Sequence, residues 1–212
     1  ETSTKNCSVA ISSDSKLIGF KEINSENFSH AENLHVFIKH LFKEAKIDIQ
    51  NLSGVVLGKG PGSYTGLRIG TACAKGFCYS LDIPLMSINS LEIMAQGITV
   101  ESNQLLIPMI DARRLEVYTM ILDHNKMIVK NTWAEELTQN SFTQYSKDKT
   151  CVFFGNGSIK FKSISPKGKY KFIDKEHFPS AKDMVKKGFE LFVNKNFEST
   201  AYYEPFYLKE FI

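Results

Sequence analysis

What the 212-residue chain lacks narrows its identity before anything it contains. No apolar run approaches the ~20 residues that a membrane helix needs, and no secretory leader is visible, so neither a membrane-spanning nor an exported protein is expected. The four cysteines (Cys7, Cys73, Cys78 and Cys151) form no C-x-x-C pair, and no histidine stands at finger spacing from them, which argues against structural zinc. Cys73 and Cys78 fall in an apolar helical stretch and read as small buried thiols; free thiols without a leader fit a cytoplasmic protein. The net charge is only +3, from 26 Lys+Arg against 23 Asp+Glu, so no strong field of one sign marks a nucleic-acid binder. The densest basic stretch, Lys160 to Lys175, also carries Phe161, Ile164, Tyr170 and Phe172, and reads as a solvated surface rather than an RNA site. Repeats, low-complexity tracts and flexible linkers are absent as well.

What is present is ordinary in amount and ordered in pattern. Hydrophobic residues make up 42% and charged residues 23%, typical of a globular chain. A chain of this length buries roughly 70% of its unfolded surface, enough for one large domain or two small lobes. Cys7–Ser12 and Lys16–Ile23 flank a Ser/Asp turn and predict a hairpin. A helix follows from about Ser29 to Ala45, with Ser29 and Glu32 spaced as a capping box. Its apolar residues (Ala31, Leu34, Phe37, Ile38, Leu41, Phe42 and Ala45) cover an arc of roughly 140°, wider than the ~100° that one core face requires. A buried-type strand at Gly54–Leu57 then leads into a Gly-rich loop and a helix from about Thr65 to Leu81. Strands are expected at Pro84–Ile88, Gln104–Ile110, Glu116–Leu122 and Thr150–Phe154, and helices at Ser90–Gly97, Ala134–Tyr145 and Ser180–Val193. Trp133 and the Phe-rich positions read as core. The alternation of strands and helices gives an α/β chain, divided by the change of pattern near residue 100.

The most informative segment is the Gly-rich loop, Gly58 to Gly70. It follows a strand and opens a helix, where backbone N–H groups are free to meet an anion. Yet Tyr64-Thr65-Gly66 stands where a P-loop needs Lys and Ser/Thr, the dinucleotide spacing fails at Ser63 and Thr65, and Pro61 removes a donor. The nucleophile elbow G-x-S-x-G is missing too, because Gly62 directly precedes Ser63. The following helix carries Gly66, Gly70, Ala72, Cys73, Ala74, Gly76 and Cys78. Each interior glycine costs about 1 kcal/mol relative to alanine, so close packing must offset it, against either the chain's own sheet or a second chain. In the second case Tyr64, Leu67 and Arg68 would lie at the accessible end of that helix, where aromatic residues and arginine suit an interface.

Gly60-Pro61-Gly62-Ser63-Tyr64-Thr65-Gly66-Leu67-Arg68-Ile69-Gly70 resembles the signature of the TsaB family. Further matches stand in order: Glu1–Thr4 with Cys7–Val9, Ser29–Leu34, Asp111–Tyr118, Gly155-Asn156-Gly157, Pro179-Ser180-Ala181 and Pro205–Lys209. The resemblance therefore spans the chain. It implies a reduced member of the actin-like ATPase, sugar kinase and heat-shock chaperone fold, with two lobes, each a mixed sheet flanked by helices. The lobes are expected at residues 1–100 and 101–212. It further implies a non-catalytic scaffold and activator that pairs with TsaD and TsaE in making threonylcarbamoyladenosine beside the tRNA anticodon. In isolation the family self-pairs through a similar surface; tRNA is met indirectly, and ATP or ADP only in the complex. The implied partner surface on the two N-terminal helices comprises His30, Leu34, Phe37, Ile38, Leu41, Tyr64, Leu67, Arg68, Gly70 and Ala74. Many relatives have Asp where this chain has Glu1, and the family has an apolar strand ahead of that position.

The residues give catalysis little to work with. TsaD binds metal through two histidines one helical turn apart, whereas His30, His35 and His40 are spaced by five and diverge by roughly 140°. Asp111, at a strand end beside Arg113 and Arg114, reads as one half of an ion pair at the lobe junction, since no nucleophile or base accompanies it. An actin-like ATPase or kinase, and a glycoprotease-like peptidase, remain the alternative functions.

Overall fold

The structure is a computed structural model that describes residues 1–25 and 30–209. The capping call at Ser29 falls outside those residues. The chain divides into two compact units, residues 1–93 with 179–212 and residues 94–178.

In the first unit β1 (Asn6–Ser13) and β2 (Lys16–Asn24) form an antiparallel hairpin. Helix α1 (His30–Ala45) turns Leu34 and Leu41 into the interior and leaves Val36 exposed. Next come β3 (Val55–Gly60), α2 (Tyr64–Leu81), β4 (Leu85–Asn89) and α3 (Ser90–Gln96), whose last turn crosses into the second unit. β3 and β4 are parallel, as the α2 crossover between them requires. Where the sequence reading expects one mixed sheet, the described residues form two separate two-stranded sheets. β1 and β3 therefore each keep an unpaired edge. An apolar cleft of about 460 Å³ opens there, lined by Ile11, Val56, Ile38, Phe77 and Phe189 among others. Glu1 already forms a rung on the β1 edge, exchanging backbone hydrogen bonds with Ser8 at 2.8 and 3.0 Å.

The C-terminal residues belong with the first unit, although the sequence split at residue 100 assigns them to the second. Packing and hydrogen bonds explain the difference. Asn6 Nδ2 donates to Pro179 O at 3.1 Å, and Ala181 N–H donates to Ser8 Oγ at 2.9 Å. Helix α5 (Val185–Val193) presses Gly188 onto Val56 so closely that a Cβ there would lie 2.9 Å from Cγ2. The expected helix Ser180–Val193 is a 3-10 turn, Ala181–Met184, running into α5 (Val185–Val193).

The second unit is a five-stranded mixed sheet of β5 (Gln104–Asp111), β6 (Glu116–Leu122), β7 (Ile128–Glu136), β8 (Thr150–Phe154) and β9 (Lys171–Phe172), with helix α4 (Ser158–Ile164) after β8. The strand order is β7-β6-β5-β8-β9, parallel only from β5 to β9. β5 is buried from Gln104 through Ile110, as a central strand should be. The core is aromatic. Phe153 meets Phe142 at 5.1 Å and Phe161 at 4.9 Å between ring centroids, and Tyr170 and Phe172 pack on the same group.

The helix expected at Ala134–Tyr145 does not form. Its first residues continue β7, where Ala134 pairs with Tyr118 and Glu136 with Glu116. Cross-strand pairing and the packing of Trp133 against the aromatic core override the local helix preference. Thr138 and Ser141 then close a turn, and Phe142 takes a left-handed φ of 65°.

Candidate protein-interaction surface on helices α1 and α2

Ser63 caps α2: its Oγ accepts the Gly66 N–H at 3.3 Å, leaving Tyr64 as the first helical residue. The glycines of the signature loop then meet this chain's own termini. A Cβ on Gly66 would run into the carbonyl oxygen of Thr2, one on Gly70 into Thr2 Oγ, and one on Gly62 within 2.8 Å of Ser3 Cβ. Gly58 faces the Glu1 carboxylate, and a Cβ on Gly60 would lie 2.9 Å from Phe206 O. The N-terminal turn is fastened there, with Thr2 Oγ donating to Gly66 O at 2.7 Å and Ser63 N–H to Ser3 O at 2.7 Å. A phosphate cradle needs these same backbone surfaces open, so the loop serves packing instead.

Over the other side of the α2 start lies the C-terminal segment. Tyr207 stacks on Tyr64 with centroids 5.1 Å apart, Arg68 Nε donates to Tyr207 Oη at 3.4 Å, and Tyr64 Oη donates to Lys209 O. Lys75 Nζ holds the carbonyls of Ala201 and Tyr203 at 3.0 and 3.3 Å. Tyr203 is buried, and burial pushes its phenol above the ordinary range.

Of the ten residues expected at a partner surface, five lie inside the chain. Leu67 is 1% exposed, and His30, Leu34, Leu41 and Ala74 are likewise buried. Gly70 is half-buried against Thr2. Phe37, Ile38 and Tyr64 are half-buried, and Arg68 is exposed. Leu34, Leu41, Leu67 and Ala74 are turned into the chain's own interior, whereas Phe37 and Ile38 are only partly covered. Burial also holds the His30 imidazole below its ordinary range, outweighing a hydrogen bond with the Thr4 backbone.

What α2 does turn outward is Thr65, Arg68, Ala72, Gly76 and Tyr79, one stripe at steps of three and four. Tyr79 is 87% exposed, and among the described residues nothing stands within 4 Å of where a Cβ on Gly76 would be. Gly76 therefore has no local reason to be glycine, whereas Gly66 and Gly70 do. Sequence reasoning listed these small residues but could not assign their faces, because α2 carries small side chains all round.

Elsewhere, Asp111 pairs with Lys160 Nζ at 2.6 Å and not with either neighbouring arginine. Its carboxylate also accepts the Arg113 N–H at 2.6 Å. Asn156 of the Gly155-Asn156-Gly157 loop accepts the Asp111 N–H at 3.1 Å. His35 and His40 are exposed while His30 is buried, and no group of three His, Cys, Asp or Glu gathers among the described residues. Burial raises the Cys78 and Cys151 thiols to about 11, so both are inert packing groups.

The likeness to solved structures gives this α/β chain the actin-like, glycoprotease-like fold. A solved Pseudomonas aeruginosa protein, described as similar to the peptidase YeaZ, superposes with a TM-score of 0.85 over 98% of this chain and 96% of its own, at 21% identity. The family model described as TsaD, tRNA N6-adenosine threonylcarbamoyltransferase, matches residues 24–185. The TsaB protein of Bacillus subtilis is 32% identical over 148 residues, covering 64% of this chain and only 60% of that relative. The TsaB protein of Buchnera aphidicola subsp. Schizaphis graminum is 29% identical over 192 residues, covering 87% of this chain and 89% of its own. The chain belongs to the family that this TsaD model describes and, within it, to TsaB.

Proposed function

We propose that the chain is a scaffold and activator, without catalysis of its own, in the complex that makes threonylcarbamoyladenosine on tRNA, and that it acts by binding TsaD. The observation that carries this reading is the outward stripe of α2. Gly76 weakens the helix by about 1 kcal/mol relative to alanine, and among the described residues no neighbour lies within 4 Å of where its Cβ would be. A closely approaching partner backbone supplies the missing reason, with Ala72 beside it and Tyr79 and Arg68 as flanking anchors. Val36, 44% exposed on α1, extends the surface. TsaE is the second partner, and the same stripe serves self-pairing when TsaD is absent.

The ATPase or kinase reading draws no support from the loop, whose glycines are taken up by Glu1, Thr2, Ser3 and Phe206. The peptidase reading draws no support from the sequence, which lacks the nucleophile elbow. Co-expression of the chain with tagged TsaD tests the proposal. Wild type is expected to co-purify, and Gly76→Trp to fold normally and be lost from the complex. Retention of Gly76→Trp at wild-type levels would overturn the assignment of the surface.

A further inference from the structure

The chain is almost an all-lysine protein on its basic side. Only three of its 26 Lys+Arg residues are arginine: Arg68, Arg113 and Arg114. Arg68 is engaged with Tyr207. The other two stand side by side at the tip of the β5–β6 hairpin, both exposed. Both also take left-handed φ, 70° and 47°, a conformation that glycine and asparagine adopt far more easily than arginine. A chain that uses lysine nearly everywhere thus keeps two arginines at a turn that favours neither.

The local structure fixes this tip without using its charge. Asp111 accepts the backbone N–H of Arg113, and its negative charge is offset by Lys160. Ala112 N–H donates to Glu116 O at 3.0 Å, and Glu116 N–H to Arg113 O at 3.1 Å. Among the described residues neither guanidinium has an ion-pair or hydrogen-bond partner of its own. The tip lies at the C-terminal end of β5, beside its parallel neighbour β8, the end of an α/β sheet where ligands gather. The whole of the formal net charge of +3 falls in residues 94–178, the unit that carries the tip.

We propose that Arg113 and Arg114 form a contact for RNA backbone phosphates. A guanidinium presents a planar fork of donors that fits phosphate oxygens two at a time, which an ammonium does not. That difference accounts for arginine here in a lysine-rich chain. The proposal rests on the reading above that the complex works on tRNA. A tip held by backbone hydrogen bonds presents both forks without first having to order itself. An acidic protein segment is the competing occupant, and the test separates the two.

The probe is an unmodified anticodon stem–loop RNA, titrated onto the complex of the chain with TsaD across a salt series. Each phosphate contact contributes about 0.7–0.9 to the slope of log affinity against log salt. Arg113→Asn with Arg114→Gly suits the left-handed backbone, so the variant is expected to fold at least as stably and still to bind TsaD. Its slope should fall by about 1.4–1.8, while Arg113→Lys with Arg114→Lys should recover most of the slope but not the full affinity. An unchanged slope in the Asn/Gly variant overturns the phosphate contact. So does competition by poly-glutamate that is lost on the same substitution while RNA affinity stays constant. Failure of the wild-type chain to bind TsaD would instead count against the scaffold reading, and direct titration of the chain alone would then decide the arginine contact by the same slopes.

Discussion

Two glycine-to-alanine changes ten residues apart on α2 should have opposite signs. Gly66→Ala gains at most about 1 kcal/mol of helix preference. The new Cβ, however, would run into the Thr2 carbonyl oxygen and come within 3.3 Å of His30 Cδ2. Backbone cannot swing aside as a side chain can, so the N-terminal turn must move off the helix, at a cost of about 1–3 kcal/mol for overpacking. That displacement also breaks the buried Thr2 Oγ to Gly66 O hydrogen bond, worth about 1 kcal/mol. The net loss is about 1–3 kcal/mol, or a fall of roughly 2–12 °C in Tm for a chain of this size. Gly76→Ala meets open space and should gain about 1 kcal/mol, a rise of about 2–4 °C. Thermal unfolding followed by circular dichroism on both variants reads the two signs. A Gly66→Ala protein as stable as wild type would refute the claim that the signature glycines exist to seat the N-terminal turn. A destabilised Gly76→Ala protein would show that the outward face has a demand within the chain after all.

Two further outcomes follow from the interior. Because the folded pKa of His30 is depressed, the unfolded chain binds more protons below its ordinary value of about 6.5. The stability from a neutral His30 is complete above that value and lost as pH falls through the folded one. Tm should therefore fall between about pH 7 and pH 5.5 more steeply in wild type than in His30→Gln, and parallel profiles would contradict this. Phe161→Ala, which removes a fully buried ring from the Phe142–Phe153–Tyr170 group, should cost about 3–5 kcal/mol by chemical denaturation. A loss below about 1 kcal/mol would mean that the aromatic cluster does not hold the second unit together.

Periodic segments were legible in the sequence and pairing-dependent ones were not. α1, α2, β5, β6 and β8 follow the expected spans to within a residue or a few. α2 showed itself through the Gly-rich loop before it, and β8 through its apolar run. Residues 134–136 have helix-compatible composition, but Glu116, Val117 and Tyr118 recruit them into β7, and that pairing is invisible without the partner strand. The return of residues 179–212 to the first unit depends on Gly188 meeting Val56, a contact no local pattern announces. The same limit applies to the candidate site. The glycine stripe of α2 signalled close approach on two sides, and only the position of Thr2 distinguishes the inward pair, Gly66 and Gly70, from the outward Gly76. Leu34 and Leu67 looked available to a partner because a helix shows its apolar face whether the sheet beneath or another chain covers it.

The central claim is that the outward stripe of α2 meets TsaD. A photo-reactive amino acid placed at Ala72, in the middle of that stripe, and separately at the exposed Ile159 on α4, tests it most directly in the co-purified complex. Illumination is predicted to join the chain to TsaD from position 72 and not from position 159. An adduct from Ile159 with none from Ala72 would contradict the account.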